Sequence, residues 1–86
     1  MASYEIVWRR TTKRDLRRIS REQVTKIVEA VNTLKDNPRP RASVKLTGSE
    51  CAYRIQLGDY RVIYEVYDEK VIVEVVKVGH RREVYR

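Results

Sequence analysis

The sequence predicts an α+β domain: an N-terminal strand, a two-helix hairpin, then antiparallel strands forming one sheet with the helices on one face. Three observations predict it. Apolar residues recur at helical spacing through the first half of the chain, between about residues 12 and 34. They alternate at strand spacing in residues 4–8 and again from residue 52 onward. A Gly58-Asp59 pair then sits between two alternating runs, which is a hairpin signal. The 86 residues make one domain (1–86), short enough that every apolar stripe is needed for the core.

Each element has its own warrant. Tyr4-Glu5-Ile6-Val7-Trp8 reads as the first strand, with Tyr4, Ile6 and Trp8 on one face and Val7 on the other. Residues 12–19 read as a short helix that turns Leu16 and Ile19 inward. Ser20-Arg21-Glu22-Gln23 has the form of a capping box, with Ser20 accepting from the Gln23 amide. A second helix follows, with Val24, Ile27, Val28, Val31 and Leu34 at helical spacing. Asn37-Pro38 ends it, because the residue before proline disfavours helix. Residues 38–50 read as a loop, basic at Arg39, Arg41 and Lys45. Three strands complete the domain, at 52–57, 60–67 and 71–78, with a turn at Asp68-Glu69-Lys70 between the last two. Gly79 is expected to close the third, and the tail 80–86 to add a short edge strand.

The hairpin register carries the main inference. With Gly58 and Asp59 as the loop, Leu57 pairs with Tyr60, Gln56 with Arg61, Ile55 with Val62 and Arg54 with Ile63. Cross-strand partners share a face. Arg54, Gln56 and Arg61 therefore stand together, on the face away from the helices, while Tyr53, Ile55, Leu57, Val62, Tyr64 and Val66 take the core side. Two arginines on an open face suit a phosphodiester. Plain polar-out alternation produces the same pattern.

Charge points the same way. There are 19 Lys and Arg against 12 Asp and Glu, a formal charge of +7. Seven basic residues lie between Arg9 and Arg21, opposed by Asp15 alone. That field attracts phosphate backbones and acidic protein segments, although a solvated helix face has the same composition. No apolar run reaches the length of a membrane span and the N-terminus has no secretory pattern, so the expected location is the cytoplasm, with no membrane partner. The lone Cys51 fits that compartment and reads as a structural thiol.

The strings Tyr53-Arg54-Ile55-Gln56-Leu57, Gly58-Asp59-Tyr60-Arg61-Val62-Ile63-Tyr64-Glu65-Val66 and Val78-Gly79-His80-Arg81-Arg82-Glu83-Val84-Tyr85, in this order and spacing behind a helical hairpin, resemble the RelE family of toxin–antitoxin ribonucleases. The resemblance spans nearly the whole chain. It implies ribosome-dependent cleavage of mRNA in the A site, by attack of a ribose 2′-OH on the adjacent phosphate, with no metal or cofactor. It implies a catalytic set of Arg61 for the phosphate, Arg81 for the leaving group, Tyr85 for stacking on a base, and Arg54. Gln56, His80, Arg82 and Lys45 are expected to bind RNA. The implied partners are a cognate RelB-like antitoxin, the ribosome and mRNA, with operator DNA reached only through the antitoxin complex. The basic first helix is expected to grip ribosomal RNA.

Arg54 and Gln56 stand where well-studied relatives carry two lysines. Neither a guanidinium nor an amide takes up a proton near neutrality, so the hairpin lacks a general base. His80 is the one side chain of a type suited to proton transfer there. Some relatives also have a further C-terminal helix that the antitoxin displaces. With the sequence ending one residue past Tyr85, inhibition is expected to work instead by covering the site or blocking ribosome entry. Two alternatives stand beside this reading: a gyrase-directed toxin of the related ParE type, which shares the fold and is not a nuclease, and a non-catalytic nucleic-acid-binding module.

Overall fold

The computed structural model describes residues 3–84, and for Glu83 and Val84 the backbone alone. The element order is β1 (Glu5–Trp8), α1 (Arg10–Leu16), α2 (Arg21–Asn32), a 3-10 turn (Thr33–Lys35), β2 (Val44–Lys45), β3 (Ala52–Leu57), β4 (Tyr60–Tyr67), β5 (Ile72–His80) and α3 (Arg81–Val84). The five strands form one sheet in the order β1-β5-β4-β3-β2. β1 runs parallel to β5, and every other neighbour pair is antiparallel.

Alternation puts one sheet face against the helices. Ile27, Val31 and Leu34 pack on Ile55, Val62, Tyr64, Val66, Val73, Val75 and Val78, and all ten are buried. Trp8, Leu16 and Ile19 close the margin of this core. The Ser20 hydroxyl caps α2, accepting from the Gln23 N–H at 3.4 Å. Tyr64 is fully buried, and its phenol donates to the Pro38 carbonyl at 2.8 Å, which ties the chain leaving α2 to the middle of the sheet.

Several boundaries differ from those expected. The first helix covers 10–16 rather than 12–19: it starts early because Thr12 is buried and its hydroxyl bonds back to the Arg9 carbonyl. The stretch 38–50 is a loop broken by the two-residue strand β2. β5 starts one residue later than expected, because Val71 sits at φ 55°. That left-handed conformation costs a β-branched residue about 1–3 kcal/mol. It is held by two bonds: the Val71 N–H donates to Asp68, and the Val71 carbonyl accepts from Glu5 at the start of β1.

Gly79 does not end β5. It pairs with Arg61, and His80 pairs with Tyr60, so the ladder continues to the first residue of β4, where that strand begins. No β4 residue remains to pair beyond His80, and the tail coils into α3 instead of adding an edge strand. The outer edge of β5 is covered by β1 along residues 72–75 only. Further along, α1 takes over: the Asp15 carboxylate accepts from the Val78 N–H at 3.3 Å and pairs with Lys77 at 3.8 Å. Asp15 is thus committed to the sheet edge and is not a counter-ion for its arginine neighbours on the helix.

A second tie joins the N-terminus, the loop and the β4–β5 turn. Arg39 donates to both Asp68 oxygens, at 3.2 and 2.7 Å, and to the Tyr53 phenol at 2.9 Å, while Tyr4 donates to Asp68 at 2.7 Å. The Arg39 guanidinium, and then the Tyr4 hydroxyl, hold the Asp68 carboxyl below the usual carboxylate range. Arg39 was one of the basic loop residues; here it is a structural brace.

Candidate active site

The β3–β4 hairpin has the expected register, from Leu57↔Tyr60 through Arg54↔Ile63 and on to Ala52↔Glu65. Gly58, at φ 62°, supplies the positive first position that a tight primed turn needs. The register places Arg54, Gln56 and Arg61 on the outer sheet face, opposite the helices. Gln56 organises the group. Its amide nitrogen donates to the Gly58 carbonyl at 3.1 Å, and its oxygen accepts from Arg61 Nε at 3.4 Å. The turn backbone thus orients the amide, and the amide orients the guanidinium. On the β5 side Arg61 pairs with Gly79. Arg54 is half-buried between Val44 of β2 and Ile63 of β4.

The C-terminal residues divide. Arg81 opens α3, and its backbone N–H donates to the Asp59 carbonyl in the hairpin turn at 2.8 Å. This brings Arg81 to the same end of the sheet as Arg61. Arg81 and Arg82 are both exposed. His80 pairs with Tyr60, so its ring lies on the helix-side face, edge-on to the Tyr60 ring with centroids 5.9 Å apart. It is turned away from Gln56 and Arg61. Lys45 pairs with Tyr53 and likewise belongs to the other face, at the sheet's far edge. Neither residue joins the expected cluster. Tyr85 lies outside the described residues.

Lys77 was overlooked in the sequence. It aligns with Ile63 in the row of Arg54, and its exposed ammonium pairs with Asp15 of α1 at 3.8 Å. The signal was there: Lys77 interrupts a valine-rich strand one residue before the buried Val78. The other end of the outer face is acidic. Glu65 and Glu74 are direct cross-strand partners, an arrangement that repels. Arg9 lies between them, with Nη2 3.5 Å from Glu65 and Nε 3.1 Å from Glu74. Tyr67 donates a short hydrogen bond to Glu65, which pushes the phenol up to about 12. The outer face thus has a neutralised acidic end at the β4–β5 turn and a cationic end at the β3–β4 turn. The cationic end carries several N–H donors, the kind of group that binds and stabilises phosphate charge.

Comparison with known proteins agrees with this architecture. Residues 6–85 match the family model described as ParE toxin of type II toxin-antitoxin system, parDE. The mRNA interferase toxin RelE of Escherichia coli is 44% identical over 70 residues, covering 76% of this chain and 68% of that protein. A protein of Methanocaldococcus jannaschii named as a RelE toxin is 32% identical over 77 residues, 85% of this chain and 84% of its own. Among solved structures, a double-arginine mutant of Escherichia coli RelE in the free state superposes with a TM-score of 0.82 at 28% identity, covering 99% of this chain and 90% of that one. The RelE–RelB complex from Pyrococcus horikoshii gives 0.82 at 27% identity, covering 92% and 96%. With its mixed five-stranded sheet, its helical hairpin and these relatives, the chain belongs to the RelE/ParE family of toxins of type II toxin–antitoxin systems.

Proposed function

We propose that this chain is an endoribonuclease toxin that cleaves mRNA on the ribosome and so inhibits translation. The observation that carries the reading is the Gly58–Gln56–Arg61 relay at the cationic end of the outer face, with Arg81 anchored to the same hairpin turn. In this reading Arg61 stabilises the charge that builds on the phosphate when the 2′-OH attacks, and Arg81 stabilises the leaving oxygen. Gln56 aligns Arg61. Arg54 holds a flanking phosphate, and Tyr85 stacks on a base. Neither Arg54 nor Gln56 is a base, so orientation of the RNA by the ribosome carries much of the rate; positioning of this kind is worth up to roughly 7–11 kcal/mol.

The exposed arginines of α1 suit ribosomal RNA phosphates. The partner that restrains the toxin is a RelB-like antitoxin, in line with the RelB–RelE complexes among the solved relatives. DNA is reached through that complex. No helix among the described residues is long and apolar enough to cross a membrane, and the proposed site of action is the cytoplasm, where ribosomes are.

Primer extension on mRNA supplied with ribosomes tests this. Wild-type protein should leave ribosome-dependent cuts within codons. Arg81→Ala should lose them while keeping its fold by circular dichroism, and full cleavage by that variant overturns the assignment. The ParE family match favours a second reading, a gyrase-directed toxin. DNA damage on induction with mRNA left intact would select it. Salt-sensitive RNA binding without cuts, ribosomes present, would select a non-catalytic module.

A further inference from the structure

His80 stands on the wrong face to grip RNA beside Arg61, and its contacts give it a different task. Its Nδ1 accepts a hydrogen bond from the Arg82 N–H at 3.3 Å. The preceding amide, Arg81 N–H, donates to the Asp59 carbonyl at 2.8 Å. These two bonds lie on either side of the Arg81 α-carbon, so together they set the direction in which the Arg81 side chain leaves the backbone. The ring that supplies one of them is itself fixed edge-on against Tyr60, at an interplanar angle of 75°.

Nδ1 can accept only while the ring is neutral with its proton on Nε2, because an imidazolium donates from both nitrogens. Imidazoles take up that second proton between about pH 5 and 8. The ring borders a cleft of about 260 Å³ between α1 and the end of β5. The charged and titratable groups lining that cleft are Asp15 of α1, Arg18 in the turn after it, Tyr60 of β4 and, at the strand edge, Lys77, which pairs with Asp15.

We propose that His80 is a positioning residue for Arg81: its neutral imidazole holds the turn into α3, and protonation releases that turn. The consequence for activity rests on the nuclease reading above; the turn itself does not.

Two substitutions and two readouts test it. His80→Asn places a non-titrating amide oxygen near the position of Nδ1, and His80→Ala removes the acceptor. The first readout is the backbone amide resonance of Arg82 in the isolated protein, followed from about pH 5 to 8. In the wild type it should move with the His80 ring signals at a shared midpoint, and in His80→Asn it should stay still. The second is ribosome-dependent cleavage over the same range. Wild-type cleavage should fall roughly threefold to tenfold on the acid side, about what one net hydrogen bond can hold. His80→Asn should lack that acid limb, and His80→Ala should be low throughout.

An Arg82 amide that ignores the His80 titration overturns the proposal, as does an acid limb that survives in His80→Asn. So does cleavage that rises as the ring takes up its proton, the sign expected if His80 gripped a phosphate. A wild-type protein that cleaves nothing while its Arg82 amide still follows His80 overturns the nuclease reading and supports the turn.

Discussion

At one end of the outer sheet face Arg9 lies between two carboxylates; at the other Arg61 lies against the neutral amide of Gln56. The two arginines are held by the same kind of bond, and the partners differ in charge. Glu65 and Glu74 cancel the charge of Arg9, and hydrogen bonding to Glu74 raises the Arg9 guanidinium's affinity for its proton further. That end of the sheet is an ionic clamp that joins β1, β4 and β5. Gln56 orients Arg61 through a neutral acceptor and adds no charge of its own beside the guanidinium. The contrast is between an arginine locked by two carboxylates across three strands and one aligned by an amide that the hairpin turn itself holds.

Changes at either end should separate the two roles. The largest effect is expected from Arg61→Ala, which removes the charge at the cationic end. Cleavage should fall by about 10²–10³, the cost of losing one transition-state donor, with little change in Tm. Undiminished cleavage would break the comparison outright. Next comes Gln56→Glu, which copies the acidic end onto the cationic one. A carboxylate beside Arg61 should lower cleavage about tenfold, equivalent to about 1.4 kcal/mol, while Tm holds or rises. Equal activity would mean that the neutrality of Gln56 is incidental.

Arg9→Ala is the reciprocal test. It leaves Glu65 and Glu74 facing each other without their cation, so Tm at neutral pH should drop. Salt screens that repulsion, and the gap to wild type should narrow as ionic strength rises. Cleavage should be unaffected; a large loss would join the two ends functionally.

The smallest effect is that of Tyr67→Phe, and it is confined to alkali. The folded phenol is raised to about 12, so its bond to Glu65 contributes fully below the ordinary value near 10. That contribution fades as pH rises from about 10 through about 12. Differential stability measured against the Phe variant should vanish across this window, and the variant's phenolate absorbance should lose a late-titrating component.

Much of this was written locally in the chain. Ser20 and Gln23 mark the start of α2, and Pro38 marks the break after it, because capping and the pre-proline clash act within a few residues. Gly58-Asp59 specifies a two-residue turn, and a two-residue turn leaves one register for β3 and β4. That register is why the sequence alone groups Arg54, Gln56 and Arg61 on one face.

Other features were beyond local reading. The parallel pairing of β1 with β5 joins residues more than sixty positions apart. The irregularity between Ile63 and Tyr64 shifts β5 against β4. The boundary at Gly79 misled because glycine is a local breaker, whereas the ladder to Arg61 and Tyr60 is a tertiary fact. His80 was recoverable in part: it lies two residues beyond the buried Val78, and alternation alone would have turned it inward.

By itself the sequence determined the elements whose causes are short-ranged: the cap, the proline stop, the tight turn and the alternation that sorts a hairpin into a core face and a polar face. Only the tertiary structure decided which strand lies beside which, that Asp15 and Arg39 are braces, that Arg9 serves an acidic clamp, and that His80 backs the chain at Arg81. Those outcomes depend on which distant backbone groups and charges meet, and no local pattern of residues encodes that meeting.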